Sequence, residues 1–266
     1  MYPILYRLPF GVPIYSYGTA LCLSVLVGQA IALRAAARRG LDAALLQRCC
    51  FWALAGAFIG ARLLYAVTNP AQFTDLLVVF RWWDGGVVAY GGFLGGFAGT
   101  VAFCIRHDVP LGEWIDCAAP SLALGLALTR IGCFLAGCDF GTPWTGPWAV
   151  QFPAGSPAFV QQVAQGLLPA SGVRSLPVHP TQLYESLAGV LLLALALVVR
   201  RRRAFAGEAF AVTVIGYAIL RALIEVFRAD LDRGAIGLVS TSQLIAAGTC
   251  CSAAAYLWIF RQRQPT

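Results

Sequence analysis

The fold the sequence predicts is an all-α integral membrane protein with seven transmembrane helices, and three observations predict it. Of 266 residues, 59% are hydrophobic and only 12% are charged, where a soluble domain averages about 25% charged; mean hydropathy is +0.73. Seven stretches approach the roughly 20 residues that a helix needs to cross a bilayer core. All 19 basic residues are arginine, and most gather in the short connections between those stretches. In a soluble chain the formal net charge of +7 would suggest nucleic acid; here it reads as a signal of membrane orientation, and no nucleic-acid partner is expected. One polytopic domain then fills 1–266, with no room for a large soluble one.

Taken in order, the stretches run near 14–35, 46–67, 87–105, 114–135, 181–199, 209–227 and 242–260. The opening MYPILYRLPFGVPIYSYG has neither a basic leader nor a small-residue cleavage site, so no removable signal peptide is expected. After the second stretch, NPAQFTDLLVVFRWWDGG is too short to span and ends in Trp82 and Trp83. An interfacial or re-entrant piece is expected there, its tryptophans at headgroup depth. The third and fourth stretches are interrupted by glycine, proline or charge. The connection 136–180 is the longest and is rich in Gly, Pro and Trp, the kind of long ordered loop that often carries function.

Orientation follows from counting arginines. Connections after the first, third, fifth and seventh stretches hold eleven, among them the run Arg200 to Arg203; the opposite side holds five. The excess marks the cytoplasmic face. The N-terminus and the 136–180 segment are then outside, and the C-terminus inside.

Arg62, Arg130 and Arg221 fall within the apolar stretches themselves. An arginine near a membrane-helix centre costs roughly 2.5–3.5 kcal/mol on insertion scales, so each requires a partner or a task. Its planar fork of donors suits a phosphate, which points to phospholipid. Four motifs surround these residues. In RWWDGGVVAYGGFLGG, Gly91, Gly92, Gly95 and Gly96 bare one helical face, either for close helix packing or for a headgroup, and Tyr90 stands beside it. In LTRIGCFLAGCDFG, Arg130 is followed by Gly132, Gly137 and Gly141; it either binds an anion or pairs with an acid such as Asp139 or Glu185. In VHPTQLYES, His179 and Thr181 stand at a helix start, with Gln182, Tyr184 and Glu185 following; capping alone would explain the first two. In IGYAILRALIEVFRAD, Tyr217, Arg221 and Glu225 share a helical face and Arg228 lies further out; Arg221 and Glu225 form either an ion pair or part of a site.

Seven of the nine cysteines (Cys22, Cys49, Cys50, Cys104, Cys117, Cys250 and Cys251) lie in apolar runs, where a thiol serves as a small hydrophobe. Cys133 and Cys138 are spaced too widely for a zinc knuckle and have no further ligands in view. No metal site is expected, and no cofactor.

Together the motifs resemble the prolipoprotein diacylglyceryl transferase family: YSYG around Tyr17, GARLLY around Arg62, WDGG, YGGFLGG, RIGCFLAGCDFG, HPTQLYE and the GY…R…EVFR run, in that order. The resemblance implies a seven-helix enzyme of the bacterial inner membrane with a periplasmic head segment. Its partners would be phosphatidylglycerol, prolipoprotein signal peptides and membrane lipids. The diacylglyceryl group would pass from phosphatidylglycerol to a signal-peptide cysteine thiol, releasing glycerol phosphate. By the same resemblance Arg130 is the phospholipid-binding arginine, Arg221 is the second essential one, and Tyr17, Gly141, Tyr217 and Glu225 complete the site. Arg62, His179, Gln182, Tyr184, Glu185 and Arg228 are expected to line the substrate.

Three departures stand out. Tyr90 occupies the place of the family's usual histidine, Cys133 that of an asparagine, and Ala136, Gly137 and Cys138 that of an asparagine-glycine-glutamate run. A phenol with a pKa near 10 is a poor base at neutral pH but can donate a hydrogen bond. Tyr90 is therefore expected to orient the thiol or leaving group, and the base is left unassigned. The competing reading is a catalytically silent phospholipid-binding protein. A small transporter fits poorly, since no paired repeats are seen.

Overall fold

The computed structural model describes residues 1–70, 81, 86–229, 235–236 and 239–262. A hairpin of β1 (Ile4–Arg7) and β2 (Pro13–Tyr15) opens the chain. The long helices are α1 (Ser16–Ala37), α2 (Ala43–Thr68), α3 (Ala89–Arg106), α4 (Leu111–Ala136), α6 (Thr181–Arg202), α7 (Glu208–Glu225) and α8 (Thr241–Gln262). Short α5 (Pro157–Ala164) interrupts the longest connection, and β3 (Ala235–Ile236) and β4 (Val239–Ser240) pair before α8.

Each predicted stretch coincides with a helix. Five of them, α1, α2, α4, α6 and α8, are long and apolar enough to cross a membrane. The other two, α3 and α7, have 18 residues each, and α7 carries Glu208, Arg221 and Glu225. Many large apolar side chains point outward, including Phe51, Phe58, Phe93, Leu94, Leu187 and Leu191. Water would penalise such a surface and lipid would not, so the protein is a multi-pass membrane protein. The segment holding Trp82 and Trp83 lies outside the described residues.

The chain forms two compact units. One comprises Leu33–Ile115; the other comprises Met1–Ala32 with Asp116–Thr266. In the first, α2 and α3 pack through glycines. A Cβ on Gly95 would lie 2.9 Å from the Gly60 Cα, and one on Gly99 would lie 2.6 Å from the Trp52 carbonyl oxygen. Only backbones without side chains approach this closely, the small-xxx-small logic of membrane helices. Helix packing therefore takes the face of Gly91 and Gly95. Gly56 and Gly60 are its complement on α2.

In the larger unit, Gly189 on α6 meets α4, where an added Cβ would lie 2.7 Å from the Ala127 nitrogen. Near the start of α4, fully buried Asp116 accepts hydrogen bonds from the Gly207 and Phe210 amides, each 2.9 Å, and pairs with Arg203. These amides belong to the first turn of α7, which has no side-chain cap of its own. A carboxylate there satisfies orphan donors and meets the positive end of the helix dipole.

Candidate active site

The other end of α4 builds the site. Gly137, with φ +82°, ends the helix in a left-handed turn, and the Cys133 carbonyl accepts from both the Gly137 and Cys138 amides, at 2.8 and 3.2 Å. This is the Schellman type of helix exit. Asp139 also has positive φ, 57°. Side chains of α6 hold the exposed carbonyls: Gln182 Nε2 donates to the Cys138 oxygen and Thr181 Oγ1 to the Asp139 oxygen, both at 2.6 Å. Gly141 then runs between His179 and Phe227. Its amide donates to the His179 carbonyl at 3.0 Å, and the Thr142 amide donates to the Phe227 carbonyl at 2.7 Å. A Cβ on Gly141 would fall 2.7 Å from each of those carbonyl oxygens, so this position accepts no side chain. The exit of α4, the start of α6 and the end of α7 are thereby joined beneath a small core of Phe140, Phe152, Ala158 and Val178.

That junction gathers three guanidiniums and three carboxylates. Arg130 Nη1 lies 2.6 Å from Asp139 Oδ2, and its Nε lies 2.6 Å from Glu185 Oε2. Arg228 Nη2 lies 2.6 Å from Asp139 Oδ1, and its Nη1 lies 3.4 Å from Glu185 Oε1. Arg221 pairs with Glu225 one turn along α7 and reaches Glu185 Oε1 at 3.8 Å. The formal charges of these six groups cancel. Glu185 touches all three arginines and is 3% exposed, whereas Asp139 is 28% exposed. Burial pushes the Asp139 carboxyl upward, but Arg130 and Arg228 outweigh it and hold its pKa below the usual carboxylate value. The acid is therefore ionised at neutral pH. It is also the carboxylate that an incoming anion could replace most readily.

Beside the cluster is an aromatic group. His179 stacks on Trp144 with centroids 4.3 Å apart and planes 9° apart. Its Nδ1 lies 3.1 Å from the Tyr184 hydroxyl, which accepts from Trp148 Nε1 at 2.8 Å. Burial lowers the His179 pKa, which favours neutral imidazole.

The structure thus brings Arg130, Arg221, Arg228, Glu185 and Glu225 together, with Gln182 and Gly141 holding the backbone around them. His179 and Tyr184 form the adjacent aromatic group. Tyr217 precedes Arg221 by one turn on α7, and Tyr17 starts α1 where Gly132 admits it: a Cβ on Gly132 would lie 3.2 Å from the Tyr17 Cα. Arg62 and Tyr90 belong to the other unit. There buried Arg62 donates to the backbone carbonyls of Gly86 and Arg81, at 3.0 and 2.9 Å. Sequence reasoning named Asp139 only as a possible partner and did not single out Trp144 or Trp148; the clustered tryptophans of GTPWTGPW were the available signal. It also saw no ligand near Cys133 and Cys138. Yet their sulfurs and an Asp139 oxygen all lie within 4.8 Å of one another, because the helix exit folds residue 138 back over residue 133.

A family model described as prolipoprotein diacylglyceryl transferase matches residues 3–259. Relatives named phosphatidylglycerol–prolipoprotein diacylglyceryl transferase include one from Clostridium tetani, 30% identical over 249 residues and covering 94% of each chain. One from Thermus thermophilus is 33% identical over 251 residues, covering 86% of this chain and 88% of its own. A third, from Gloeobacter violaceus, is 30% identical over 258 residues, covering 95% and 91%. Family match, helical membrane fold and arginine-bearing motifs agree from end to end, and the chain belongs to the prolipoprotein diacylglyceryl transferase family.

Proposed function

We propose that this chain, working as one transferase domain, moves the diacylglyceryl group of phosphatidylglycerol onto the lipobox cysteine thiol of prolipoprotein signal peptides. The observation that carries this reading is the charge-balanced cluster of Arg130, Arg221 and Arg228 with Asp139, Glu185 and Glu225, in a family whose members bear the name of that reaction. The thiol sulfur attacks the diacylglyceryl carbon that bears the phosphate ester. A carbon–sulfur bond forms, the carbon–oxygen bond breaks, and glycerol phosphate leaves with the bonding pair. The thiol proton is lost to water or to the departing phosphate.

The lipid phosphate takes the place of Asp139 on Arg130 and Arg228, exchanging one anion for another without leaving a guanidinium bare. Charge growing on the leaving oxygen then meets donors already held in position by Glu185 and Glu225, the arrangement that stabilises a transition state most effectively. Arg221 supports this array from α7. His179, Gln182, Tyr184, Tyr17, Tyr217 and Gly141 shape the substrate site. Family membership supports a place in the bacterial inner membrane, and the arginine bias supports an orientation with the N-terminus and 136–180 periplasmic and the C-terminus cytoplasmic. Reporter fusions after Arg203 and after Thr266 should both read cytoplasm, and a periplasmic reading from either overturns that orientation.

The direct test is lipid-dependent mass gain on a single-cysteine signal peptide, with purified protein and phosphatidylglycerol in detergent. Diacylglyceryl addition is expected. Phosphatidylglycerol binding without mass gain, where a related transferase works, would identify a silent lipid-binding protein instead.

A further inference from the structure

We propose that Cys133 and Cys138 form a reversible disulfide that staples the exit of α4 and slows the neighbouring arginine site. The pairing follows from backbone geometry. In a Schellman exit the amide two residues past the cap returns to the carbonyl three before it, which brings those two side chains together. Here these are residues 138 and 133, turned by Gly137 at φ +82°. Their sulfurs lie within 4.8 Å of one another, and the Cys138 sulfur is 3.7 Å from the Cys133 carbonyl oxygen.

Access is asymmetric in the way exchange requires. Cys138 is half-buried and Cys133 is buried, so an outside disulfide meets Cys138 first and Cys133 resolves. A second thiol pair, Cys49 and Cys104, also makes a side-chain contact, but both members are buried and neither offers an attacking sulfur.

A metal is the other use for two sulfurs beside a carboxylate. Asp139, however, already holds Arg130 and Arg228 at 2.6 Å each. A cation seated there would face two guanidiniums, while a disulfide adds no charge. The chemistry balances with a low-molecular-weight disulfide as oxidant. The Cys138 thiolate attacks one of its sulfurs and expels a thiolate. Cys133 then attacks the Cys138 sulfur and expels the second, and the two protons from the cysteines go to the two released thiols. An external location for this end of α4 would supply the oxidising surroundings.

The consequence for activity rests on the reading that Asp139 yields Arg130 to a lipid phosphate. Asp139 follows Cys138 directly, so pinning Cys138 to α4 restrains that release. Purified full-length protein in detergent is incubated with oxidised glutathione, its thiols are blocked, and peptides are mapped by mass spectrometry, with transfer measured in parallel. The expected result is a 133–138 cross-link reversed by dithiothreitol, with a several-fold fall in transfer that Cys138→Ser does not show. Free thiols at both positions after oxidation, or zinc uptake that both Cys133→Ser and Cys138→Ser abolish, overturn the disulfide. A mapped cross-link with unchanged transfer overturns its link to Asp139. Absence of transfer even in the reduced protein falls on the proposed activity, since the cross-link is read separately.

Discussion

Arg62 and Arg130 are both arginines in membrane helices, yet their surroundings differ in kind. Arg62 donates to two backbone carbonyls, of Gly86 and Arg81, and sits 5.9 Å from the Tyr65 ring centroid. Arg130 faces carboxylates from Asp139 and Glu185. A backbone carbonyl is fixed to the chain and cannot be exchanged for an incoming anion. A partly exposed carboxylate can give way to another anion. The first arginine is thus engaged by backbone, and the second faces a carboxylate that an anion could replace.

The sharpest break in this comparison is at Glu185, the carboxylate shared by all three clustered arginines. Glu185→Ala should destabilise the protein by about 3–5 kcal/mol, because it leaves buried guanidiniums short of a counter-charge. Thermal unfolding in detergent reads this, and an unchanged midpoint would show that the cluster is not held by Glu185. Next come Arg130→Lys and Arg221→Lys. Lysine keeps the charge but loses the planar fork, so most transfer should vanish while the protein still inserts and accumulates. Full activity in both variants would remove phosphate binding as their role.

A smaller effect is expected from Arg62→Lys. It should cost about 1–3 kcal/mol through buried carbonyls left without donors, yet preserve transfer per folded molecule. Loss of transfer with unaltered unfolding would instead support the expected place of Arg62 at the substrate. The smallest concerns pH. Burial lowers the folded His179 pKa below the ordinary 6.5, so the unfolded chain binds the proton more readily. Its contribution to stability is complete above 6.5 and declines as pH falls towards the folded value. A modest drop in unfolding midpoint between pH 7.5 and 5.5, missing in His179→Phe, would confirm the sign.

Much of this was legible in the sequence, for definite reasons. Hydropathy and length located the long helices among the described residues, since a helix in an apolar setting leaves a long, mostly apolar run. The Arg221–Glu225 pair followed from i, i+4 spacing. Asp139 and Glu185 were visible only as alternatives to an anion, because sequence spacing cannot say that Glu185 on α6 meets Arg130 on α4. The face of Gly91 and Gly95 was equally ambiguous until Gly56 and Gly60 appeared opposite. The junction at Gly141 was hidden for the same reason: three segments far apart in the chain converge on it, and no local pattern reports that.

The arrangement of opposite charges also bears on how the protein is made. Asp139 follows Arg130 by nine residues, and Glu225 follows Arg221 by one helical turn. Each of these arginines thus leaves the ribosome with an acid close behind it, and can partition from the translocon as part of a nearly neutral hairpin or helix. That lowers the roughly 2.5–3.5 kcal/mol that a solitary arginine would cost at insertion. The contact between Arg228 and Asp139 spans 89 residues and can close only after α7 has emerged. Biogenesis would then proceed in two stages: helices enter with local counter-ions, and the long-range exchange of partners that completes the cluster comes last.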